Sequence, residues 1–424
     1  MIFFYLMAGI MPLVQHPIWS EIKILGLTLN KWVGVCATVA ALLEFSATPR
    51  SIPIFRTVQS RLFLLFGFMM MGSFLAFGSN VPLAESPFGN WSSFLLLLFI
   101  SSLLLTSRRR LRWTLLWTVG GVAFASLHLI REWQAGGMGA GVRPGWITGD
   151  PNYFALSGLL CLPLGFLLAQ QRPERWERLY CLGCALVTLV ALTLTGSRGG
   201  LLGLLVSGVL LVWHSRRRLQ HLAVGGVLLA AVLVLSPTSP LTRLLSPDYS
   251  DQGSTEIHKA LLFAGLRMFG DHVLTGVGAG NFKTMVRKYL DPGFDVDAIA
   301  HNTYLEVAAE LGILGLVAFV GIFFFTFRTL ARVRRQTGRG RDPFLHASAR
   351  GLEAGLAGAA VALLFLSALH ARLLWFVVVL AICLQFLALK RRRVSLPAPP
   401  LPSAPPPELA QNPEPGAPPR PGPR

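Results

Sequence analysis

Charge is what this 424-residue chain has least of: 14% of its residues are Asp, Glu, Lys or Arg, against 53% hydrophobic, and the mean hydropathy is +0.56. A soluble domain carries about 25% charged residues, and one core of this size cannot hide so large an apolar excess. The composition therefore excludes a soluble globular protein and implies a polytopic membrane protein. Acidic residues are scarcer still, 20 against 38 Lys and Arg, for a formal charge of +18. In a soluble chain that imbalance would suggest nucleic acid, but here the basic residues fall between apolar runs, which is the pattern of membrane topology, and no nucleic-acid partner is expected. Cysteine is also sparse. Cys36, Cys161, Cys181, Cys184 and Cys383 all lie in apolar stretches, so neither a disulfide framework nor a thiolate metal site is indicated. Cys181 and Cys184 do form a C-x-x-C, but on one face of an apolar helix. No internal repeat is visible, and the inverted repeat of many secondary transporters is missing too, which weighs against a transporter.

What is there in abundance is apolar sequence of spanning length, about 20 residues per helix. The runs predict twelve spans, near 2–14, 29–45, 61–78, 91–106, 111–130, 153–169, 179–195, 199–213, 221–236, 303–327, 350–368 and 371–389. The first lacks a basic leader and a small-residue cleavage site and reads as a retained helix. Lys and Arg in and beside the loops divide 24 to one side and 12 to the other, which places both ends in the cytoplasm. The loops at 131–152, 196–198, 237–300 and 371–372 then share the outer face. The chain divides into an N-terminal transmembrane bundle (1–236), a long outer loop (237–300), C-terminal transmembrane helices (301–393) and a tail (394–424). Residues 395–424 hold 13 of the 28 prolines and too few apolar groups to fold. Within the outer loop, Leu261, Leu262, Leu266 and Phe269 recur at helical spacing and predict an amphipathic helix over about 255–270, lying along the membrane surface. The fold class is all-α, with a long, partly helical loop.

Few charges belong in or beside the outer half of the bilayer, where an ionisable group is costly unless paired or functional. Arg198 lies in Thr195-Gly-Ser-Arg-Gly-Gly200, a tight turn between spans. Its planar fork suits a phosphate or diphosphate; the plainer reading is an anchor on lipid headgroups. Arg143 sits in a Gly-rich loop ending at Gly149-Asp-Pro-Asn152, where Asp150 or Asn152 is expected to cap the next helix. Gly276-Val-Gly-Ala-Gly280-Asn-Phe reads first as a turn, although its glycines would let backbone approach a phosphate. His301 and Asn302 open the span that follows. A helix start disfavours imidazolium, so His301 should be neutral and able to take a proton, as a general base must; a histidine there is also commonly a cap. Glu306 and Glu310 follow on one helical face. Glu310 lies about 13 Å into the bilayer at 1.5 Å per residue and is expected to meet an arginine of another helix or be protonated. Gly312 and Gly315 read as helix-packing positions.

Taken together, the pattern resembles the O-antigen ligase family, with its related O-antigen polymerases and protein O-oligosaccharyltransferases, over roughly residues 140–330. The likeness runs through Asp150-Pro-Asn-Tyr-Phe-Ala155, Ser197-Arg-Gly-Gly200, Arg267-Met-Phe-Gly-Asp-His272 and Gly276 to Phe282. It is strongest in His301-Asn302, nine residues, then Gly312-Ile-Leu-Gly315, similar to the family's H-N-x9-G-x-x-G. The resemblance implies an inverting, metal-independent glycosyltransferase of the bacterial inner membrane that needs no cofactor. It would move a saccharide from undecaprenyl diphosphate to an acceptor hydroxyl on the periplasmic face, first as a ligase to lipid A-core and second as an O-antigen or exopolysaccharide polymerase. His301 would be the base; Arg198, with Arg143, would hold the diphosphate; Asn302, Glu306, Asp150 and Asn152 would support. No Asp/His cluster with metal-ligand spacing is visible, in keeping with that chemistry. Membrane lipids and envelope-polysaccharide assembly proteins are the other expected partners. One departure stands out: where the family commonly has a loop-helix arginine, this chain reads Ser254-Thr-Glu-Ile-His258-Lys259, so His258 or Lys259 must take that place, without the fork. Arg267, nine residues on, faces about 180° away. The readings of other classes are a transporter or flippase of lipid-linked glycan, which would need broken helices near the midplane, and a noncatalytic partner in an envelope complex.

Overall fold

A computed structural model describes residues 1–13, 21–47, 57–78, 83, 85–135, 150–171, 174–215, 218–220, 222–223, 225–226, 230, 252–291, 298–338, 340–394 and 422. The described helices are α1 (Ile2–Ile10), α2 (Leu29–Ala47), α3 (Val58–Phe77), α4 (Pro87–Leu104), α5 (Arg108–Gln134), α6 (Pro151–Ala169), α7 (Arg175–Leu194), α8 (Arg198–Trp213), α9 (Gln252–Asp271), α10 (Phe282–Met285), α11 (Thr303–Thr337), α12 (Pro343–Ala362) and α13 (Arg372–Val394). A two-residue antiparallel ladder, Lys23–Ile24 on Leu27–Thr28, precedes α2. The chain forms two units, Met1–Ala388 and Leu389–Arg424. Arg143, most of the expected span at 221–236 and nearly all of the Pro-rich tail lie outside the described residues.

The helices begin where the sequence offers a side-chain oxygen to a free amide. Thr57, Ser86, Ser107, Asp150, Ser197, Asn302 and Asp342 each accept from a backbone N–H of the first turn, which satisfies a donor that has no partner within the helix. Among the described residues, seven helices are long and apolar enough to cross a membrane: α3 to α7, α11 and Arg372–Leu389 of α13. Ile2–Leu13 and α8 are apolar but shorter. Helices also stand at the expected spans 29–45 and 350–368, but α2 carries Lys31 and Glu44, and α12 carries His346, Arg350 and Glu353. The chain is thus an all-α polytopic membrane protein, with seven spans of that kind described where the sequence predicts twelve in all.

Helix α13 is the core. From Leu374 to Leu384 its side chains are buried all round, as expected of a helix apolar on every face. Trp375 anchors it: its ring lies 4.6 Å from that of Trp91, edge-on, inside a cluster with Phe63, Phe66, Phe94 and Phe319. Its indole N–H donates to Leu369 O at 2.8 Å. The outward faces of α3, α7, α8 and α11 show Phe68, Leu75, Leu179, Val209, Leu314 and Phe324, an apolar surface suited to lipid. Helix α12 packs on α6 and α8. A Cβ on Gly203 would stand 2.5 Å from Gly358 O, so only glycine allows this close approach, which fixes the turn before α8 against the loop after α12.

Candidate functional site

The site is built on the start of α11. Asn302 caps the helix, its Oδ1 accepting from Tyr304 N at 3.0 Å and Leu305 N at 3.1 Å. That leaves His301 as the residue that must turn the chain, and its φ is +48°. Left-handed backbone is uncommon for a residue with a Cβ and costs of order 1 kcal/mol or more. His301 is half-buried, and its Nδ1 has no hydrogen-bond partner among the described residues. Burial, with a smaller push from neighbouring His258, holds its imidazole below the ordinary histidine range, against a weaker opposite pull from Asp150. The sequence expectation of a neutral imidazole agrees, although burial rather than the helix start is the principal cause.

His258 comes from α9. Its ring centre lies 4.8 Å from that of His301, so of the two residues in the departing position it is His258 that meets His301. Lys259 is exposed on the neighbouring face of the same helix. Arg267 points elsewhere, donating to Asp291 Oδ1 at 2.7 Å and Tyr289 O at 3.1 Å. Helix α9 itself runs as expected, but its inner stripe is Leu261, Ala264 and Met268, while Leu262, Phe263 and Leu266 are exposed. The sequence pattern joined residues of both faces because α9 is apolar around much of its surface.

Two short links tie the other residues to this point. Asp150 Oδ1 accepts from Asn152 N at 2.8 Å, so Asp150 is the cap of α6; Asn152 Oδ1 accepts from Ser197 Oγ at 2.6 Å. Ser197 in turn caps α8 through Gly200 N at 3.0 Å, presenting exposed Arg198 as the first residue of that helix. Beyond it, Gly199 lies against Phe365, in the loop that Thr303 holds. Thr303 N donates to Leu363 O at 2.9 Å, its hydroxyl donates to Leu366 O, and Ala368 N donates to that hydroxyl at 3.0 Å. Sequence reasoning missed Thr303, whose only signal was its place after the cap.

Glu310 departs from expectation. Its partners among the described residues belong not to an arginine but to the glycine-rich turn: Gly280 N donates to Oε2 at 2.9 Å and Phe282 N to Oε1 at 3.0 Å. The amides that seemed able to meet a phosphate meet this carboxylate instead. Gly278 N and Val277 N also donate to Glu310 O and Ala309 O. This backbone pairing is possible because α11 breaks at Gly312, with φ +66° and ψ −166°, which frees Ile313 N to donate to Val273 O at 2.7 Å. A Cβ on Gly312 would stand 2.5 Å from the carbonyl oxygens of Val273 and Leu274, and one on Gly276 about as close to Glu310 backbone. Gly312 thus admits the loop backbone rather than another helix. Glu306 is buried with Oε2 unpartnered among the described residues, and Ser367 faces it. No group of three His, Cys, Asp or Glu side chains converges as a metal site would require among those residues.

The architecture and site together define a membrane-embedded helical protein with a half-buried histidine just before α11 and an exposed arginine opening α8. Residues 183–320 match the family model described as O-Antigen ligase, and over that segment, about a third of the chain, the resemblance to this family is borne out. The family is one of glycosyltransferase-type membrane enzymes that use a lipid-linked glycan donor and a glycan acceptor. The match takes in Arg198, His258, Lys259, His301, Asn302, Glu306 and Glu310 and leaves Arg143, Asp150 and Asn152 outside. No curated protein matches the chain.

Proposed function

We propose that this protein is an inverting glycan transferase of the bacterial inner membrane, drawing on undecaprenyl diphosphate without a metal and acting at the periplasmic face, first of all as a ligase to lipid A-core. The observation that carries the reading is His301: a half-buried imidazole on a strained backbone, below its ordinary proton affinity, with a second histidine against it and Asp150 in electrostatic range. A strained backbone position persists where the surrounding structure over-determines it, and such positions cluster at active sites. In the step, the acceptor hydroxyl gives its proton to His301 as its oxygen bonds the anomeric carbon. The bond from that carbon to the diphosphate breaks, and the electron pair leaves with undecaprenyl diphosphate. Arg198 stabilises the charge that grows there, with His258, Lys259 and Arg143 as further donor contacts. Glu306, Asn302, Asp150 and Asn152 keep the two turns in place. Twelve spans with both ends in the cytoplasm would put all these residues on one outer face.

The test is mass spectrometry of products after the purified full chain is given an undecaprenyl diphosphate glycan, with and without lipid A-core, in metal-free buffer. Glycan on lipid A-core is the expected outcome; longer chains still on the carrier would make it a polymerase. No transfer to either acceptor, with folded protein, would sink the ligase reading.

A further inference from the structure

At the far end of α11 from His301, four basic side chains and one carboxylate converge from three helices. Arg334 comes from α11; His346, Arg350 and Glu353 from α12; His214 directly follows α8. Arg334 Nε pairs with Glu353 Oε2 at 3.0 Å, and both groups are largely buried. Arg350 Nη2 donates to Leu211 O at 3.2 Å, while its Nε is buried and has no partner among the described residues. The two histidines are arranged alike. His214 Nδ1 meets Leu210 O and His346 Nδ1 meets Arg334 O, each at 3.0 Å. A carbonyl only accepts, so both rings carry the proton on Nδ1 and keep Nε2 for another partner.

The charges in this cluster do not cancel. Two guanidiniums share one carboxylate, so a whole positive charge is left over even with both imidazoles neutral. An excess charge in so buried a setting is costly without a counter-ion. Burial, then the charge of Arg334, holds His214 below the ordinary histidine range, against Glu353 and the Leu210 carbonyl. The surroundings are those of a membrane interface: Trp213, beside His214, is 70% exposed and has the guanidinium of Arg218 over its ring at 5.9 Å. Tryptophan and basic side chains at helix ends are typical of headgroup depth, and basic pockets between spanning helices receive acidic headgroups.

We propose that Arg334, Arg350, His214 and His346 form a phosphate-binding site at the end of the bundle opposite His301. The group bound is the phosphate of an anionic phospholipid or free inorganic phosphate. The unpartnered Nε–H of Arg350 and the guanidinium N–H groups not given to Leu211 O offer charge-assisted donors to phosphate oxygens, and Glu353 keeps Arg334 oriented without neutralising the pair. The site is independent of the transfer reaction and stands or falls apart from it.

The experiment is native mass spectrometry of the full chain in detergent, titrated with phosphatidylglycerol and, separately, phosphatidylcholine of the same acyl chains, with and without inorganic phosphate. The expected result is a preference of roughly tenfold for phosphatidylglycerol, reduced to parity in Arg350→Gln and enhanced in Glu353→Gln, which leaves Arg334 uncompensated. Arg328→Gln, which removes an exposed cation of the same helix, should leave the preference intact. Bound inorganic phosphate that displaces phosphatidylglycerol identifies the soluble source; phosphatidylglycerol that resists it identifies the lipid. Equal binding of the two lipids with no effect of phosphate overturns the site, as does an equal loss in Arg328→Gln and Arg350→Gln. Should Arg350→Gln fail to accumulate, Arg350→Lys, which keeps the charge but not the fork, is expected to lose part of the preference, and the wild-type ratio decides by itself.

Discussion

A residue with two demands on it shows both when it is replaced. His301 is asked for a positive φ, which favours glycine, and for an imidazole, which glycine lacks. His301→Gly should therefore be more stable than His301→Ala by about 1 kcal/mol, read as a higher unfolding temperature, while both lose transfer by roughly 10²–10⁴-fold, as removal of a general base does. A wild-type glycan profile from cells that make normal amounts of His301→Ala would remove the base from the scheme. The pH profile has a definite sign. Because the imidazole sits below its ordinary range, activity should hold as pH falls through that range and decline only beneath it. His258 lowers the affinity of His301 for a proton, so in His258→Ala the acid limb moves to higher pH. His258→Arg restores the fork that the family commonly places in the loop helix; it should lower the donor KM by roughly tenfold and move the acid limb to lower pH. A limb that stays still in both variants would mean the two rings do not communicate. For Arg198→Lys, the charge survives and the fork does not, so donor binding should fall by more than an exposed charge alone explains. Unchanged kinetics would reject bidentate diphosphate binding.

At the scale of the element, the break in α11 is the feature on which the site rests. Both oxygens of Glu310 accept backbone amides of the glycine-rich turn. Glu310→Gln keeps one acceptor and turns an amide donor against an N–H, so about 1–3 kcal/mol of stability should be lost. Gly312→Ala should cost more, because it adds a Cβ 2.5 Å from two carbonyl oxygens at a φ that alanine resists. Thermal unfolding of the purified variants reads both, and a Gly312→Ala protein as stable as wild type would contradict the break. How much of this was legible in the sequence follows from what is local. The cap at Asp150 could be read because a cap involves residues two or three apart, and α9 could be read from its periodicity; the caps at Ser197 and Asn302, though equally local, were not, and at α11 the sequence points to His301 as the capping alternative. The partner of Glu310 could not: the amides that hold it lie about thirty residues away, and apolar spacing predicts that Gly312 continues a helix. Nor could the sequence choose between His258 and Lys259, since adjacent residues on a helix differ only by 100° of rotation and the choice depends on how α9 lies against α11.

For the whole molecule, the order of the helix ends bears on the number of crossings expected between them. Helix α6 starts just after its cap Asp150 and α8 at Arg198, both linked through the Asn152 to Ser197 bond, and α11 starts at Thr303, two residues beyond His301, to whose field Asp150 contributes. Three helices therefore begin on one side. Helices α8 and α11 also finish together, since Arg350 of α12 reaches Leu211 near the end of α8, and Arg334 near the end of α11 pairs with Glu353 of α12. Were α8 and α11 both to span the bilayer, a chain that leaves α8 on one side and enters α11 on the other would cross it an odd number of times between Trp213 and His301. The apolar run at 221–236 is the span expected there. Single-cysteine reporters at Arg218 and Ser254, in a chain freed of its five native cysteines, should consequently react from opposite sides of sealed membranes, with the Ser254 reporter on the same side as one at Gly196. The excess of Lys and Arg predicts that the Arg218 side is the cytoplasm. Should the reporters at 218 and 254 share a side, no membrane-spanning arrangement could keep α8 and α11 parallel as described, and the ninth span and the common outer face of Arg198 and His301 would fall together.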